Sequence, residues 1–254
     1  IVILKKHSPV TGIATIIGAG SLNDPYKKSG LAHFVEHSMF EGLNKGNGFI
    51  NFTKTTGATF NAYTGFRETI FFTIVPNDYV DELFHFESLR LKKFFIPPKV
   101  AYNERNVVLQ EALMYKNNDT LQLLLETTAT IIKNNHYSIP IPGYTDEIKK
   151  LTIKDVVSFI KKYYVPSNIK LAIVSDLPTE EIIAKVKKYF APIKATNSFF
   201  APQKINFVKN DFKYHIVKKS SQVGMPTVYF VYHIADELSH KEKVAIDLIC
   251  NIFN

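Results

Sequence analysis

A five-residue stretch near the start of the chain, HFVEH at residues 33–37, contains three side chains that could do chemistry together. On a helix, the i, i+4 spacing places His33 and His37 on one face, where both imidazoles can bind the same metal ion. Glu36 then lies beside the ion's open position, where it can act as a general base on a bound water. Because Cys250 is the one cysteine of the sequence, the metal must be held by histidines and carboxylates. The stretch therefore predicts a catalytic zinc site with one ion per chain.

A catalytic zinc ion needs a third protein ligand, since water takes one of its four positions. Glu104 and Glu111 are the candidates, because they lie seven residues apart, about two turns, and share a face of a predicted helix. That face also carries apolar residues, and carboxylates in such surroundings need a cation or hydrogen-bond donors. We favour Glu111 as the ligand and keep Glu104 as the alternative. The other glutamate then orients a metal-bound imidazole through its second ring nitrogen.

The residues around the two histidines indicate that the pair is buried. Phe34, Val35, Met39 and Phe40 make most of this helix apolar, as expected for a helix inside the protein. Two histidines on an exposed helix face would not by themselves indicate a metal site. Ionisable groups on a buried helix, in contrast, need a function or a partner, and a metal site provides one.

The rest of the chain predicts strands and helices that could position these residues. Neighbouring strands between residues 59 and 75 follow each other without a helix, which indicates antiparallel pairing. Ser29 is placed to cap the first helix. The predicted fold class is α+β, an antiparallel sheet flanked by helices. Strands are predicted at 1–4, 11–19, 59–63, 69–75, 169–174 and 227–234, and helices at 30–43, 77–95, 99–116, 120–134, 153–164 and 179–190.

A change in composition at residues 191–206 divides the chain into two predicted domains. The stretch is rich in alanine, proline and polar residues, which is typical of a linker. We therefore expect a catalytic, zinc-binding domain over residues 1–195. A second domain is expected to begin at about residue 205 and to be cut short at residue 254.

The second predicted domain repeats the opening of the first. The first ten residues, IVILKKHSPV, resemble HIVKKSSQV at residues 215–223 of the second domain. In both places a predicted strand and then a helix come next. Aligning the two helices places Ile246, Ile249 and Cys250 opposite the histidines and glutamate of the first copy. The pattern indicates a duplicated fold whose second copy lacks metal ligands.

Composition excludes several other classes of protein. The chain is 46% hydrophobic and 21% charged, which is typical of a globular protein. Its net charge of +8 comes from scattered lysine pairs, and no nucleic-acid-binding motif accompanies them, so we expect no nucleic-acid partner. No apolar run approaches the roughly 20 residues that span a bilayer, so no transmembrane segment is predicted.

Three blocks of sequence resemble one peptidase family. They are GLAHFVEHSMFEG at 30–42, GATFNAYT at 57–64 and ERNVVLQE at 104–111, with weaker likeness at 163–168 and 188–190. The inverted H-x-x-E-H motif and its surroundings are similar to the pitrilysin or insulinase-type zinc metallopeptidases. The likeness is to the branch that contains mitochondrial processing peptidase and bacterial zinc proteases.

This resemblance implies a fold and a set of site residues. The fold is a clamshell of two homologous halves, each built from duplicated α+β domains. Glu111 corresponds to the family's third zinc ligand and Glu104 to its second glutamate. The family's substrate-pairing edge strand corresponds to Phe60, Asn61, Ala62 and Tyr63.

The resemblance also implies an activity and partners. The expected activity is that of a zinc-dependent endopeptidase that cleaves extended peptides, unfolded proteins or targeting segments. The alternative is a non-catalytic partner or scaffold subunit of a related heterodimeric complex. Expected partners are the C-terminal half of the same protein and a second subunit, in a homodimer or a heterodimer. We expect a soluble protein of the bacterial cytoplasm or periplasm rather than of the mitochondrial matrix.

Overall fold

The computed structural model describes residues 1–42, 48–92, 94–131, 136–194 and 238–253. Five strands and nine helices lie in these ranges. The strands are β1 (Val2–Leu4), β2 (Val10–Ile17), β3 (Thr59–Thr64), β4 (Thr69–Pro76) and β5 (Ile169–Ser175). The helices are α1 (Leu31–Gly42), α2 (Phe49–Thr56), α3 (Val80–Lys92), α4 (Pro98–Lys116), α5 (Asp119–Ile131), α6 (Thr145–Ile148), α7 (Ile153–Tyr163), α8 (Thr179–Phe190) and α9 (His240–Phe253).

The strands form one sheet in the order β1-β5-β2-β4-β3. Three of the pairings are antiparallel, as predicted, while β1 and β5 run parallel. Within the described residues β3 pairs with β4 alone, so the other side of β3 is an open sheet edge. The predicted strand at 227–234 lies outside the described residues.

One face of the sheet carries the core. Along β2 the residues Thr11, Ile13, Thr15 and Ile17 are buried, and their neighbours on the other face are partly exposed, which is the two-residue period of a half-buried strand. Helices α1, α4 and α7 cover one end of this face around Phe34. Helices α2, α3 and α8 cover the other end. The α+β class predicted from the sequence is confirmed.

Two short helices were not predicted. Helix α2 contains four residues of low helix propensity, three threonines and an asparagine. Because of this composition, its sequence did not predict a helix. It buries Phe49, Phe52 and Thr53 on one face, and Gly57 ends it in the left-handed conformation, with φ of 70°. Helix α6 is a single turn. Among the described residues, no helix combines the length and apolar character needed to cross a bilayer.

Candidate metal centre

Helix α1 carries the HFVEH stretch and is capped by an unpredicted residue. The carboxylate of Asp24 accepts hydrogen bonds from the backbone amides of Gly30 (2.8 Å) and Ala32 (2.7 Å). Burial raises the pKa of Asp24 to about 7, although these two bonds oppose the shift. The prediction that Ser29 caps this helix is wrong. The backbone amides at the start of α1 donate to Asp24 instead, because the turn between Asp24 and α1 brings the carboxylate next to them.

Ser29 instead joins the start of α1 to a segment 115 residues further along the chain. Its hydroxyl accepts the backbone amide of Tyr144 at 2.9 Å, and its own amide donates to Glu147 at 2.8 Å. Gly30 and Gly143 meet at this junction, both with positive φ. A Cβ atom on Gly143 would lie 2.4 Å from the carbonyl oxygen of Ser29, so only glycine fits there.

The three predicted ligands converge at the surface of α1 and α4. The Oε2 atom of Glu111 lies 3.3 Å from Nε2 of His33 and 3.6 Å from Nε2 of His37. Donor atoms from all three side chains lie within 4.8 Å of one another. Two ligands of a tetrahedral zinc ion with bonds near 2.1 Å are about 3.4 Å apart, so both carboxylate–imidazole separations fit a shared zinc ion.

His33 is held in the form that binds metals. Burial and the neighbouring His37 lower the pKa of His33 to about 3, so its ring is neutral and keeps a lone pair at physiological pH. Its 3.3 Å approach to Glu111 is therefore not an ion pair. In the tautomer whose Nε2 keeps its lone pair, Nε2 and the carboxylate are two electron-pair donors, and a cation between them would satisfy both.

His37 lies between two carboxylates. Its Nδ1 atom is 3.3 Å from Oε2 of Glu104, while Nε2 faces Glu111. Burial lowers the pKa of His37, but the hydrogen bond to Glu104 and the charge of Glu111 outweigh it and the net shift is upward. Glu104 thus contacts the imidazole on the side away from the other two donor atoms, as a carboxylate that orients a ligand would.

Glu36 projects from the same helix and is 7% exposed. Its Oε2 atom accepts a hydrogen bond of 2.6 Å from the hydroxyl of Thr64, the last residue of β3. Burial raises the pKa of Glu36, and the Thr64 bond opposes the rise. A raised pKa brings a carboxylate closer to the range in which it can both accept and return a proton.

A cavity of about 380 Å³ joins this centre to the open edge of the sheet. Residues 61–64 of β3 line one side of it, and Tyr115, Ile141 and Pro142 form an apolar part of its wall. The structure thus brings Asn61, Ala62 and Tyr63 to the metal centre, whereas Phe60 packs into the core beside α2. Sequence reasoning missed Thr64 and the apolar wall.

The sequence also matches known protein families. The sequence profile described as Insulinase (Peptidase family M16) matches residues 1–143. The chain belongs to this family. A second profile of the same peptidase family, described as Peptidase M16 inactive domain, matches residues 150–254. The family resemblance inferred from the three sequence blocks is confirmed.

Curated relatives of this M16 chain are described as zinc proteases. Zinc protease PqqE of Helicobacter pylori is 28% identical over 261 residues, which cover 98% of this chain and 57% of the relative. The mitochondrial-processing peptidase subunit beta of Neurospora crassa is 24% identical over 83% of this chain and 46% of its own length. The chain spans about half the length of these curated relatives.

Solved structures share the fold. The crystal structure of a protease from Helicobacter pylori matches with a TM-score of 0.74 and 25% identity, over 82% of this chain and 51% of that one. The periplasmic protease PqqL from Escherichia coli matches with a TM-score of 0.70 and 22% identity, over 80% of this chain and 24% of that one. The M16 chain therefore has the fold of these peptidases.

Proposed function

We propose that the whole protein is a zinc-dependent endopeptidase in which His33, His37 and Glu111 bind the metal. The observation that supports it is the convergence of these three side chains in a cavity that also contains Glu36 and the open edge of β3. A structural zinc site would use four protein ligands, whereas three leave a position for water. The descriptions of the relatives as zinc proteases support the choice of metal.

Glu36 is the general base of this proposal. A zinc ion held by the three ligands supplies a water of lowered pKa and polarises the peptide carbonyl. Glu36 takes a proton from that water on a carboxylate oxygen and returns it to the nitrogen of the leaving amine. Two neutral histidines and one carboxylate would leave a bound divalent ion and its ligands with one net positive charge, which would favour the negative charge that develops on the carbonyl oxygen.

The substrate is an extended peptide, from an unfolded protein or a targeting segment. In the part of the chain that the structure describes, the strand of Phe60, Asn61, Ala62 and Tyr63 has one unpaired edge, so a peptide can add to the sheet through main-chain hydrogen bonds. Asn61 and Tyr63 are exposed and line the cavity, while Phe60 anchors the strand in the core.

The catalytic domain is proposed to cover residues 1–195, and a second domain without metal ligands to begin at 205. Strand β5 supports the first boundary: it lies at 169–175, inside the range of the inactive-domain profile, yet it pairs between β1 and β2. The rest of the protein is proposed to supply the C-terminal half of a clamshell.

A second subunit, in a homodimer or heterodimer, is a further proposed partner. The relative described as a subunit of mitochondrial-processing peptidase supports it. A bacterial cytoplasmic or periplasmic location is proposed, with support from the structural match to a protease described as periplasmic.

Metal content and peptide cleavage test the function together. We expect the full-length protein to bind about one zinc per chain and to cleave unfolded peptides. Glu36→Gln should keep the zinc and lose hydrolysis by orders of magnitude, because Glu36 is a base and not a ligand. Wild-type protein that binds zinc without cleaving any peptide would favour a non-catalytic partner subunit instead. Loss of zinc from Glu36→Gln would contradict the role assigned to Glu36.

A further inference from the structure

The hydrogen bond between Thr64 and Glu36 connects the general base to the strand at the sheet edge. The hydroxyl of Thr64 donates to Oε2 of Glu36 at 2.6 Å, within the range of charge-assisted O–H···O⁻ bonds. Thr64 is 8% exposed and Glu36 7% exposed, so water competes little for this bond. The contact joins residues 28 positions apart in the sequence.

This bond restricts what Glu36 can do. A glutamate side chain next to a metal can swing toward the ion as a ligand or away from it, and a base must instead stay within about 2.6–3.2 Å of the atom whose proton it takes. With Oε2 bonded to Thr64, the carboxylate is held in one orientation, in which Oε1 would accept the proton.

Thr64 is also the last residue of the strand to which a peptide would add. Residues 60–63 precede it directly in β3, and among the described residues β3 is paired on one side only. A peptide that pairs with the open side gives β3 a second hydrogen-bonded neighbour and so restricts the motion of its end.

We propose that Thr64 is a positioning residue that fixes the proton-accepting orientation of Glu36 from the end of the strand on which the peptide is proposed to bind. The inference rests on the proposed endopeptidase function. In this proposal Thr64 acts through Glu36 and not on the reacting atoms.

Replacing the hydroxyl tests this role in the full-length, zinc-loaded protein. Thr64→Val keeps the shape of the side chain and removes the donor, so kcat should fall about 10- to 100-fold, the effect of a lost bond to a charged group. KM should change by less than about threefold, because the main chain of β3 can still pair with the peptide. Thr64→Ser restores the hydroxyl and should recover most of kcat. Zinc content should stay at the wild-type level in both variants.

Thr69 offers a matched control from the opposite strand. It is the cross-strand partner of Thr64, it is fully buried, and its hydroxyl donates to the carbonyl oxygen of Ala19 at 2.9 Å. Thr69→Val therefore removes a buried threonine hydroxyl from the same pair without touching the Glu36 bond. It should lower the melting temperature and leave kcat within about twofold of wild type, since a structural loss alone changes stability.

Crystal structures of the variants separate this inference from the proposed function. We expect the Glu36 carboxylate to be displaced or split between orientations in Thr64→Val and to keep its place in Thr64→Ser and Thr69→Val. This result would support the positioning role even if the wild-type protein cleaved no peptide, in which case the endopeptidase proposal alone would fail. An unchanged Glu36 in Thr64→Val, or equal losses of kcat in Thr64→Val and Thr64→Ser, would overturn it.

Discussion

At the scale of single residues, Glu104 is proposed to act on the metal through His37 without binding the metal itself. It contacts Nδ1 of His37, on the opposite side of the ring from Glu111. Such a contact holds the ring in the orientation that binds metal and raises its basicity. The two glutamates of α4 should therefore differ in what their removal does.

We predict that Glu104→Gln weakens zinc binding about 10- to 100-fold, the usual effect of losing a partner of a metal ligand. Glu111→Gln removes a ligand and should leave the protein without bound zinc after dialysis. Competition with a chelator of known affinity measures both. The exposed Glu82→Gln on α3 is the control for loss of one negative charge. If Glu104→Gln lost its zinc while Glu111→Gln kept it, the roles of the two glutamates would be reversed.

The chemistry of this site could be predicted because its spacing is local. His33, Glu36 and His37 lie within five residues on one helix, so the helical period alone places them together. The sequence favoured Glu111 over Glu104 as the third ligand, and the family resemblance made the same assignment. Asp24 and Thr64 reach α1 across turns and strands, and a single sequence has no period that records such contacts.

At the scale of elements, the open edge of β3 makes a prediction about substrates. Main-chain groups of a strand point alternately to its two sides, so only every second amide of a bound peptide would pair with β3. N-methylation of those amides should raise KM at least about tenfold, while methylation of the intervening amides should have little effect.

A scan of singly N-methylated peptides around one cleavage site measures this pattern. Each methylated position has its neighbours as matched controls, because the added volume is the same at every step. A scan without a two-residue alternation would show that the peptide does not bind as a strand.

A buried ion pair links α3 to the sheet. Glu87 and Arg90 are 0% and 3% exposed, with Nε of Arg90 3.1 Å from Glu87, and Thr15 donates to the same carboxylate. The guanidinium also lies 4.4 Å from the ring centre of Phe71. Thus Arg90 is packed between a carboxylate and an aromatic ring.

We predict that Arg90→Met lowers the free energy of unfolding by about 3–5 kcal/mol, because it leaves the Glu87 carboxylate buried and unpaired. The double variant Glu87→Gln/Arg90→Met removes both charges and should be clearly more stable than the single variant. Denaturant unfolding of the three proteins gives the difference. A double variant no more stable than Arg90→Met would mean that the lost packing of Arg90, rather than the unpaired charge, determines the cost.

The elements themselves were predictable where their periods were long. Strand β2 alternates over eight residues and α8 has the bounds that its sequence predicts. Strand β1 pairs with β5 in parallel, and this direction was not predicted. A strand of three residues holds no information about its direction in the sheet. Helix α2 was missed because tertiary packing of Phe49 and Phe52 outweighs the low helix propensity of its residues.

At the scale of the whole molecule, the three proposed zinc ligands lie together in this chain but are poorly enclosed. The side chain of Glu111 is 40% exposed. Helix α9 also exposes apolar residues, with Leu248 at 60% and Ile249 at 51%. Both features fit a chain that is covered by further parts of its protein, because exposed apolar faces mark contact surfaces.

We predict that residues 1–254 expressed alone bind zinc but turn over peptides about 100- to 1,000-fold more slowly than the full-length protein. The range is the usual effect of losing a donor to the developing oxyanion. A second half would also exclude water and hold the peptide against the metal. Turnover at matched zinc occupancy compares the two proteins. Near-equal rates would show that this half is a self-sufficient peptidase.

The junction of Ser29 with Tyr144 and Glu147 has a consequence for cooperativity. The amide of Ala32 is bonded to Asp24, that of Ser29 to Glu147 and that of Tyr144 to Ser29, so the first turn of α1 and the distant segment protect one another. These three amides should exchange with solvent deuterium through one shared opening, with equal opening free energies and equal denaturant dependence. Helix α1, which carries His33 and His37, would then unfold only together with the cavity wall at Ile141 and Pro142. Faster exchange at Tyr144 than at Ala32 would show that the wall opens by itself.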